Sequence, residues 1–507
     1  MKHTLKYAGR LLTVAAVLCV AVPQADAERL VIMHTNDTHS LIDPDDKDNM
    51  GGVGRRKVLV DSIREAEDHT LLIDAGDAVQ GTLYFNLYGG KLETRLMNAL
   101  GYDIRILGNH EFDNGVDSLA AVLRHADSDL ISTNYDLSGS PLEPLFDKYE
   151  IRRVGDKRVG IIGINLEPKG MISDGNYDGV EYLDAIEAAN AAAWWLKHVE
   201  GVDAVVAVTH IGYKSTPLPG DVDIARRSRD IDVIIGGHTH DLIRPDGGEL
   251  ASRVPNLDGR EVLITQEGKN GKHLGVVTLD IDSTVSADYR IIPVDSRLDS
   301  RVDPGIIELI APYRAGVDSL MQRRVATAAI ELPQSSQELL NFCTDVVFDR
   351  GRQLDPGVEL ALLNKGGIRR GLPKGAVTEG QIITMMPFNN RVQVIDIKGA
   401  DLLPALLQMA RVGGSGVSKG VDVKFVPQTD DADVRLESVT VNGQPLDPDR
   451  TYRVATIDYI AKGGDYMTTM TNHNLLATSP TELYKDILTY LKKHNRINPD
   501  STVRMHQ

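Results

Sequence analysis

The stretch Ile106-Leu107-Gly108-Asn109-His110-Glu111-Phe112-Asp113 joins an apolar run to a dense set of polar side chains. The run ends at a glycine, and an amide, an imidazole and two carboxylates follow within five positions. A hydrophobic core rarely contains so many metal- and proton-binding groups so close together. The stretch therefore predicts a buried strand that leads into a functional site, whose other parts must come from elsewhere in the chain.

The same pattern, a short β-branched run that ends in polar residues, recurs from Glu28 to about Ser296. The apolar runs and the polar clusters after them are residues 30–33 and 36–39, 71–73 and 74–77, 104–107 and 108–110, 204–208 and 209–210, and 233–235 and 236–240. Amphipathic stretches lie between them at residues 53–66, 92–100, 116–125 and 184–199. This alternation predicts an α/β domain with largely parallel, buried sheets. All five clusters fall at the carboxyl ends of strands, where such sheets bind ligands.

A second pattern of elements begins near Thr327, after a helical pattern at residues 303–324. It predicts helices at residues 337–349, 380–386, 401–412 and 482–493, and strands at 358–363, 391–397 and 452–457. Asn442-Gly443 stands between two short β-like runs and is typical of a hairpin turn. For a chain of 507 residues, more than one domain is expected. The predicted boundaries are residues 28–297 and 327–507, joined by a connecting helix within residues 298–326.

The N-terminus has the form of a signal peptide, predicted at residues 1–27. An apolar run at residues 11–22 precedes Ala25-Asp26-Ala27, which fits an A-x-A cleavage site. Three basic residues come before the run: Lys2, Lys6 and Arg10. The run is short for a transmembrane span, so an uncleaved anchor is the alternative. The prediction is an exported protein, periplasmic or secreted, with no membrane span in the mature chain and Cys343 as its one cysteine, hence no internal disulfide.

The overall charge restricts the class of partner. A formal net charge of −17 argues against binding to nucleic-acid polymers or anionic membranes. It does not exclude a small anionic substrate, because a bound metal can invert the local charge. The sequence leaves the oligomeric state open.

The strand ends together carry seven oxygen and nitrogen ligands and no thiolate: Asp37, His39, Asp77, Asn109, His210, His238 and His240. One metal ion needs three or four protein ligands, so seven indicate two divalent ions. Alternation along extended backbone predicts that Asp37 and His39 share one side, as do His238 and His240. Asp77 can then bridge both ions. Imidazole and carboxylate ligands suit zinc, manganese, iron or cobalt.

Two divalent ions favour a phosphate substrate. Their charge outweighs that of Asp37, Asp77 and a hydroxide, and a metal pair can clamp both oxygens of an in-line displacement. Each part alone has a structural alternative, since a buried histidine is often a core residue and Gly76-Asp77 can be a simple turn. The five clusters in this order favour the metal site.

In this order the clusters resemble the calcineurin-like metallophosphoesterases, with their D-x-H, G-D, G-N-H-E, lone histidine and G-H-x-H motifs. The longer forms Thr35-Asn36-Asp37-Thr38-His39 and Gly76-Asp77-Ala78-Val79-Gln80-Gly81 resemble the 5′-nucleotidase branch, which includes bacterial periplasmic UDP-sugar hydrolases. The resemblance covers nearly all of the mature chain. It implies a four-layer α/β sandwich as the metallophosphoesterase domain and a smaller α/β C-terminal domain that binds the substrate.

The resemblance also implies a role for each site residue. One ion would be held by Asp37, His39, Asp77 and His240, and the other by Asp77, Asn109, His210 and His238. His110 would contact the transferred phosphoryl group and would be held by Asp113, an arrangement that orients a histidine and stabilises its cation. Glu111 receives no role, and Phe112 is predicted to pack.

Three loops of the second domain carry groups suited to a nucleotide. Asn364-Lys365-Gly366-Gly367-Ile368-Arg369 puts an amide, a glycine turn and a guanidinium at a strand end, which suits an anion or ribose hydroxyls. Phe388 and Tyr459 are aromatic loop residues that can sandwich a base or pack in the core. The resemblance implies that these rings stack the base and that nucleoside and phosphate groups are bound by Asn364, Gly367, Arg369 and Asp465.

One departure from the resemblance concerns the start of this domain. The family usually has an arginine there, before a glutamate and a Gly-Asn-Leu segment, whereas this chain reads Gln334-Ser335-Ser336-Gln337-Glu338. The most direct hypothesis is an exported dinuclear-metal 5′-nucleotidase that acts on nucleoside 5′-monophosphates. The alternatives are a hydrolase of UDP-sugars, 2′,3′-cyclic nucleotides or another ester, and a catalytically silent surface binding protein. Because both domains contribute to the site, the sequence also predicts a hinge near the connecting helix.

Overall fold

The computed structural model describes residues 27–215, 218–427 and 434–507. The predicted signal peptide therefore lies outside the described residues, apart from Ala27. The helices are α1 (Val53–Ala66), α2 (Leu83–Tyr88), α3 (Lys91–Leu100), α4 (Val116–Leu123), α5 (Ala185–Trp195), α6 (Asp221–Arg227), α7 (Pro304–Gln322), α8 (Gln337–Leu354), α9 (Glu379–Met385), α10 (Gly399–Arg411), α11 (Asp458–Ala461) and α12 (Leu483–His494). A π-helical turn, Leu196–Glu200, continues α5. Short 3₁₀ turns lie at His110–Phe112, Glu143–Leu145, Ser296–Arg301, Lys365–Gly367, Gly464–Tyr466 and Thr468–Thr471.

The strands of the first half are β1 (Glu28–Thr35), β2 (Thr70–Asp74), β3 (Ile104–Arg105), β4 (Asp129–Ile131), β5 (Tyr135–Asp136), β6 (Phe146–Asp147), β7 (Tyr149–Val154), β8 (Lys157–Asn165), β9 (Glu181–Tyr182), β10 (Ala204–His210), β11 (Val233–Ile235), β12 (Arg253–Pro255), β13 (Glu261–Thr265), β14 (His273–Ile281) and β15 (Val285–Pro293). Those of the second half are β16 (Arg324–Ala328), β17 (Leu360–Leu363), β18 (Gly375–Thr378), β19 (Arg391–Lys398), β20 (Gly416–Val417), β21 (Val421–Pro427), β22 (Val434–Val441), β23 (Gln444–Pro445), β24 (Thr451–Ile457), β25 (His473–Glu482), β26 (Arg496–Ile497) and β27 (Met505–His506).

The first domain is built on two facing sheets, with strand orders β15-β14-β1-β2-β3-β4-β6 and β12-β13-β11-β10-β8-β7. Alternate residues of a strand point to opposite faces of its sheet. Leu30 and Ile32 of β1 accordingly pack between the sheets against residues such as Val206, whereas Val31 and Met33 pack outward with residues of α1, α3 and α7. Helices α5 and α6 cover the outer face of the other sheet. The result is the predicted four-layer order of helices, sheet, sheet and helices.

The strand register brings the polar clusters to one edge of the sandwich. Strands β1, β2 and β3 are parallel, with Thr35 opposite Asp74 and Ile73 opposite Ile104. Strands β10 and β11 are also parallel, with Val208 opposite Ile235. All five clusters therefore leave the sandwich at the same edge, as expected for the carboxyl ends of parallel strands.

The C-terminal domain contains a five-stranded sheet in the order β20-β17-β24-β19-β25 and smaller sheets of four and three strands. Its core includes residues of β17, β19 and β24 together with α8, α10 and α12. Asn442 and Gly443, with φ of 51° and 76°, link β22 to β23 as the predicted hairpin turn. None of the helices among the described residues is long and apolar enough to cross a membrane.

Candidate metal centre and substrate cavity

The polar clusters at the sheet edge adopt an unusual backbone conformation. Five of the predicted ligands have positive φ: Asp37 (49°), His39 (48°), Asp77 (54°), His238 (80°) and His240 (59°). The prediction that extended alternation aligns these pairs is therefore wrong. Hydrogen bonds between clusters hold the turns instead, because the Asp37 amide donates to the Gly76 carbonyl at 2.9 Å and the His39 amide to the Asp77 carbonyl at 3.0 Å. Residues with such backbone strain often cluster at functional sites.

The predicted ligands converge into overlapping groups. The ligand atoms of Asp37, His39 and His240 lie within 4.8 Å of one another, as do those of Asp37, Asp77 and His210. The two Nε2 atoms of His39 and His240 are 3.0 Å apart. His238 Nδ1 lies 3.0 Å from Asn109 Oδ1, and the His238 amide donates to Asp37 Oδ2 at 3.0 Å. The structure thus brings all seven predicted ligands together, with Asp37 and Asp77 between the groups.

The protonation states of these residues suit metal binding. Although burial favours neutral carboxyls, neighbouring histidines hold the pKa of Asp37 at about 2 and that of Asp77 well below its ordinary value. Burial lowers the pKa of His39 well below its ordinary value and that of His238 to about 4, so both rings are neutral. Ionised carboxylates and neutral imidazoles are the forms that ligate metals.

His210 gives a second indication that the centre requires positive charge. Burial favours its neutral ring, yet Asp77 and Asp37 raise the pKa of His210 to about 10. Its Nε2 lies 3.2 Å from Asp77 Oδ2. Two buried carboxylates side by side repel each other unless a cation lies between them. The donor atoms therefore fit divalent cations, one of which would take the place of the proton on His210.

His110 lies among the predicted ligands, since its ring nitrogen is within 4.8 Å of the ligand atoms of His39 and Asp77, and its amide donates to Asp77 Oδ1 at 2.8 Å. Its Nδ1 lies 3.0 Å from Asp113 Oδ2, and its ring stacks on Phe388 of the second domain, with the ring centroids 5.7 Å apart. Burial opposes protonation of the ring, but Asp113 and then Asp77 raise the pKa of His110. With Nδ1 bound to the carboxylate, Nε2 is the ring atom left to donate to a substrate oxygen.

Glu111 has a structural function that the sequence reasoning missed. Its carboxylate is buried and accepts three backbone hydrogen bonds, from Asp77 N at 3.0 Å, Ala78 N at 2.9 Å and Gly108 N at 2.7 Å. These bonds clamp the turn that carries Asp77 to the turn that carries Asn109. The sequence signal that could have revealed this function is an acidic residue, without a predicted role as a ligand, in a stretch predicted to be buried.

A cavity of about 330 Å³ separates the ligand groups from the second domain. The first domain lines it with Asp77, Asn109, His110, Asp113, His238 and His240. The second domain lines it with Asn364, Gly367, Arg369, Phe388, Tyr459 and Asp465. Asp465 joins two of these, because it accepts hydrogen bonds from Asn364 Nδ2 at 2.9 Å and from the Tyr459 hydroxyl at 2.8 Å. Asp37, His39 and His210 lie buried below the cavity floor.

A loop of the first domain forms a third wall that the sequence did not predict. It contributes Met171, Ile172, Ser173 and Asn176. Asn176 Nδ2 donates to the Asp113 carbonyl at 3.1 Å, and Lys462 Nζ of the second domain donates to the Asp174 carbonyl at 3.0 Å. These residues have no distinctive spacing or chemistry, so no sequence signal identified them.

Comparison with known proteins supports the same division of the chain. Residues 30–242 match the model of the calcineurin-like phosphoesterases, and residues 320–473 match that of the 5′-nucleotidase C-terminal domain. Human 5′-nucleotidase is 30% identical, over 96% of this chain and 92% of that protein. The trifunctional nucleotide phosphoesterase YfkN of Bacillus subtilis is 27% identical over 86% of this chain, which spans 32% of YfkN. The crystal structure of a 5′-nucleotidase precursor from Thermus thermophilus is 31% identical, with a TM-score of 0.83 over 94% of this chain and 99% of that chain.

Proposed function

This chain belongs to the 5′-nucleotidase family, and on that premise we propose that it releases phosphate from nucleoside 5′-monophosphates. The chain is a metal-dependent phosphoester hydrolase. The observation that carries the proposed substrate class is a shared cavity. Ligand-type side chains and His110 line one wall, and Phe388, Tyr459 and the Asn364–Asp465 pair line the other. A phosphate and its nucleoside would then meet opposite walls of one pocket.

We assign two divalent ions to the ligand groups, zinc, manganese, iron or cobalt being compatible with them. One would be held by Asp37, His39, Asp77 and His240, and the other by Asp77, Asn109, His210 and His238. The grouping of His39 and His240 with Asp37, and of His210 with Asp77, supports this division, and Asp37 is common to both groups. When bound, such ions acidify water and neutralise charge on phosphoryl oxygens.

His110 and Asp113 supply the side-chain chemistry in this proposal. Asp113 fixes the ring of His110, whose Nε2 would donate to the phosphoryl oxygens as negative charge develops on them. His110→Ala should retain metal while kcat falls by about 10²–10⁴-fold. Metal analysis and steady-state kinetics test this, and full activity of the variant would contradict the role.

The second domain holds the nucleoside. Phe388 and Tyr459 provide faces for the base, and the polar groups of Asn364 and Asp465 suit ribose hydroxyls. Gly367 lets the chain approach the ligand closely, and Arg369 supplies positive charge toward the phosphate. A nucleotide placed in this way has its ester bond directed toward the ligand groups.

We also propose that the protein is exported. The leader-like pattern at residues 1–27 supports export. Within the described residues, Cys343 is free and buried, so the fold there does not depend on a disulfide. N-terminal sequencing of the protein recovered from the culture medium or periplasm tests this, with Glu28 expected as the first residue.

The decisive experiment removes metal with a chelator, restores zinc, manganese, iron or cobalt singly, and measures phosphate release. The substrates are nucleoside 5′-monophosphates, UDP-sugars and 2′,3′-cyclic nucleotides. We expect no turnover without metal and fastest turnover of 5′-monophosphates. A preference for another ester would reassign the substrate, and no turnover with any ion would favour a binding protein.

A second candidate substrate class is the UDP-sugars. A further cavity of about 400 Å³ adjoins the first and shares Phe85, Asn114 and Asn389 with it. This space favours a nucleotide that carries an additional group. The same set of substrates distinguishes the two candidates.

A further inference from the structure

Four cationic residues lie on two loops that approach each other, Lys269 and Lys272 after β13 and Arg369 and Arg370 after β17, and Lys272 and Arg370 both contact Asp45. Two of them are paired. Lys272 Nζ lies 2.9 Å from Asp45 Oδ2 and 2.6 Å from Asp48 Oδ2, and Arg370 Nη1 lies 3.4 Å from Asp45 Oδ1. Within the part of the chain that the structure describes, the charged groups of Lys269 and Arg369 have neither a hydrogen-bond acceptor nor a carboxylate partner.

The backbone on both sides of Lys269 is tied to the ligand turns. Asn36 Nδ2 donates to the Gly268 carbonyl at 2.8 Å, and the Asn270 amide donates to the Asp37 carbonyl at 2.7 Å. The Gly268 amide also donates to the Asp241 carbonyl at 2.7 Å, next to His240. Lys269 is thus held at the rim of the candidate metal centre, while its side chain is exposed.

The ammonium of Lys269 lies in the field of four charged groups. Loss of water around it lowers the pKa of Lys269, and Arg369, Arg370 and Lys272 lower it further, while Asp37 opposes them. Arg369 lines the cavity and lies over the Phe388 ring, 5.8 Å from its centroid. Two unpaired cations side by side repel each other unless an anion lies between them. Their convergence beside the ligand turns indicates a position for phosphate.

We propose that Lys269, together with Arg369, binds the phosphate group of the substrate and thereby selects phosphate monoesters over diesters. This inference rests on the proposed function and deepens it. A phosphate monoester carries close to two negative charges at neutral pH, because its second pKa is about 6, whereas a diester carries one. A cation at a fixed distance therefore attracts the monoester about twice as strongly.

In the second domain, the sequence lacks one arginine that the family resemblance predicts. The segment around Ser335, where the family resemblance predicts an arginine, supplies Gln334 instead. Gln334 Nε2 donates to the Ile368 carbonyl at 2.9 Å, so this segment lies against the loop of Arg369 but adds no charge. Lys269 of the first domain provides the second cation.

The test compares Lys269→Met, Lys269→Arg and the matched control Lys272→Met. Their kcat/KM is measured for AMP, p-nitrophenyl phosphate and the diester bis(p-nitrophenyl) phosphate. Metal content and melting temperature are recorded for each variant. In Lys269→Met we expect kcat/KM for both monoesters to fall about tenfold, as for a lost hydrogen bond to a charged group, while that for the diester changes about twofold or less. Lys269→Arg should recover most of the loss, and Lys272→Met should keep the wild-type ratio of monoester to diester turnover.

Binding of inorganic phosphate to the metal-loaded protein, measured by calorimetry, separates this inference from the proposed function. Lys269→Met should weaken phosphate binding about tenfold even if AMP proves not to be the substrate. An unchanged phosphate affinity, or an equal loss for monoesters and the diester, would overturn the role of Lys269. Absence of AMP turnover in the wild type would overturn the nucleotidase assignment alone.

Discussion

Glu111 holds two of the candidate ligand turns together through its carboxylate. Its three backbone hydrogen bonds hold the turns of Asp77 and Asn109 at a fixed separation. Groups that orient metal ligands commonly contribute 10- to 100-fold to metal affinity. At the scale of single residues, Glu111 therefore fixes the separation of two candidate ligands, Asp77 and Asn109.

Glu111→Gln should weaken metal binding by about 10–100-fold. The amide offers one acceptor oxygen where three backbone donors need partners, so the two turns loosen. Titration of the metal-free protein against a competing chelator measures the effect. Asp103→Asn is the matched control, because Asp103 Oδ2 accepts from the Leu72 amide at 2.7 Å in the middle of β2, away from the ligand turns. Equal losses of metal affinity in both variants would contradict the specific role of Glu111.

Glu267 provides a prediction about pH. It is buried between His34 and Tyr289, whose hydroxyl donates to its Oε1, and His34 Nε2 lies 3.4 Å away. Burial lowers the pKa of His34 to about 3, so this neutral ring does not offset a negative charge. Burial raises the pKa of Glu267 from 4.5 to about 8. The protonated side chain therefore belongs to the folded state.

A folded-state pKa above the unfolded value means that stability is lost as pH rises. The contribution of Glu267 should be complete below pH 4.5 and absent above pH 8, a change of up to ~5 kcal/mol. Glu267→Gln removes this titration. Thermal unfolding between pH 5 and 9 should show the variant gaining stability relative to the wild type with rising pH. A constant difference in melting temperature would show that Glu267 titrates normally.

At the scale of elements, the turn at Gly76 is the most demanding connection in the site. Gly76 has φ of +87°, and a Cβ there would lie 2.7 Å from the Gly108 nitrogen and 2.8 Å from His210 Nδ1. Backbone and a buried ring occupy that space, and neither can move without displacing a candidate metal ligand. The loss of space and the unfavourable φ therefore act together at this position.

Gly76→Ala should lower stability by more than the ~1 kcal/mol of a left-handed backbone alone and should also reduce metal binding. Gly139→Ala is the matched control, since Gly139 has φ of +80° and a Cβ there would meet nothing within 4 Å. Denaturant unfolding and metal titration of both variants measure the two effects. Similar results for the two variants would mean that steric contact with Gly108 and His210 is unimportant.

The elements themselves were largely predictable from local patterns. The amphipathic stretch at residues 53–66 is α1 with the same bounds, and Asn442-Gly443 forms the predicted turn. The left-handed ligand turns were not predictable, because hydrogen bonds between distant segments, such as Asp37 to Gly76, impose them. Periodicity along one segment contains no information about such bonds. The clamp of Glu111 escaped prediction for the same reason.

At the scale of the whole molecule, the candidate metal ligands and the loops of the second domain line opposite walls of one cavity. The order of motifs predicted the wall with the candidate ligands, but no local pattern shows which faces of the two domains meet. The loop with Met171 and Asn176 lines the cavity opposite residues of the second domain, and the local sequence of that loop does not show this arrangement. The predicted hinge near α7 stays a prediction.

Tyr459→Leu should separate recognition of the base from hydrolysis of the phosphate ester. Loss of a stacking face worth ~1–3 kcal/mol should lower kcat/KM for AMP by about 5- to 150-fold. Turnover of p-nitrophenyl phosphate, which has no base to stack, should change about twofold or less. Tyr459→Phe retains the ring but loses the hydrogen bonds to Asp465, so it should keep more of the AMP turnover than Tyr459→Leu does. Equal losses for both substrates in Tyr459→Leu would place Tyr459 in the fold of the cavity instead of in base recognition.

The left-handed turns also restrict which amino acids this centre can use. Asparagine, aspartate and histidine are the non-glycine residues that most readily accept positive φ, and all three can ligate metals. Glutamate and cysteine ligate metals as well, but they do not share this enrichment. At positions 37, 39, 77, 238 and 240, the backbone conformation therefore limits which types of ligating residue can be used, before the preference of the metal has any effect. Exchange of these residues for longer or sulfur-containing ligands should fail for conformational reasons, whatever ion is offered.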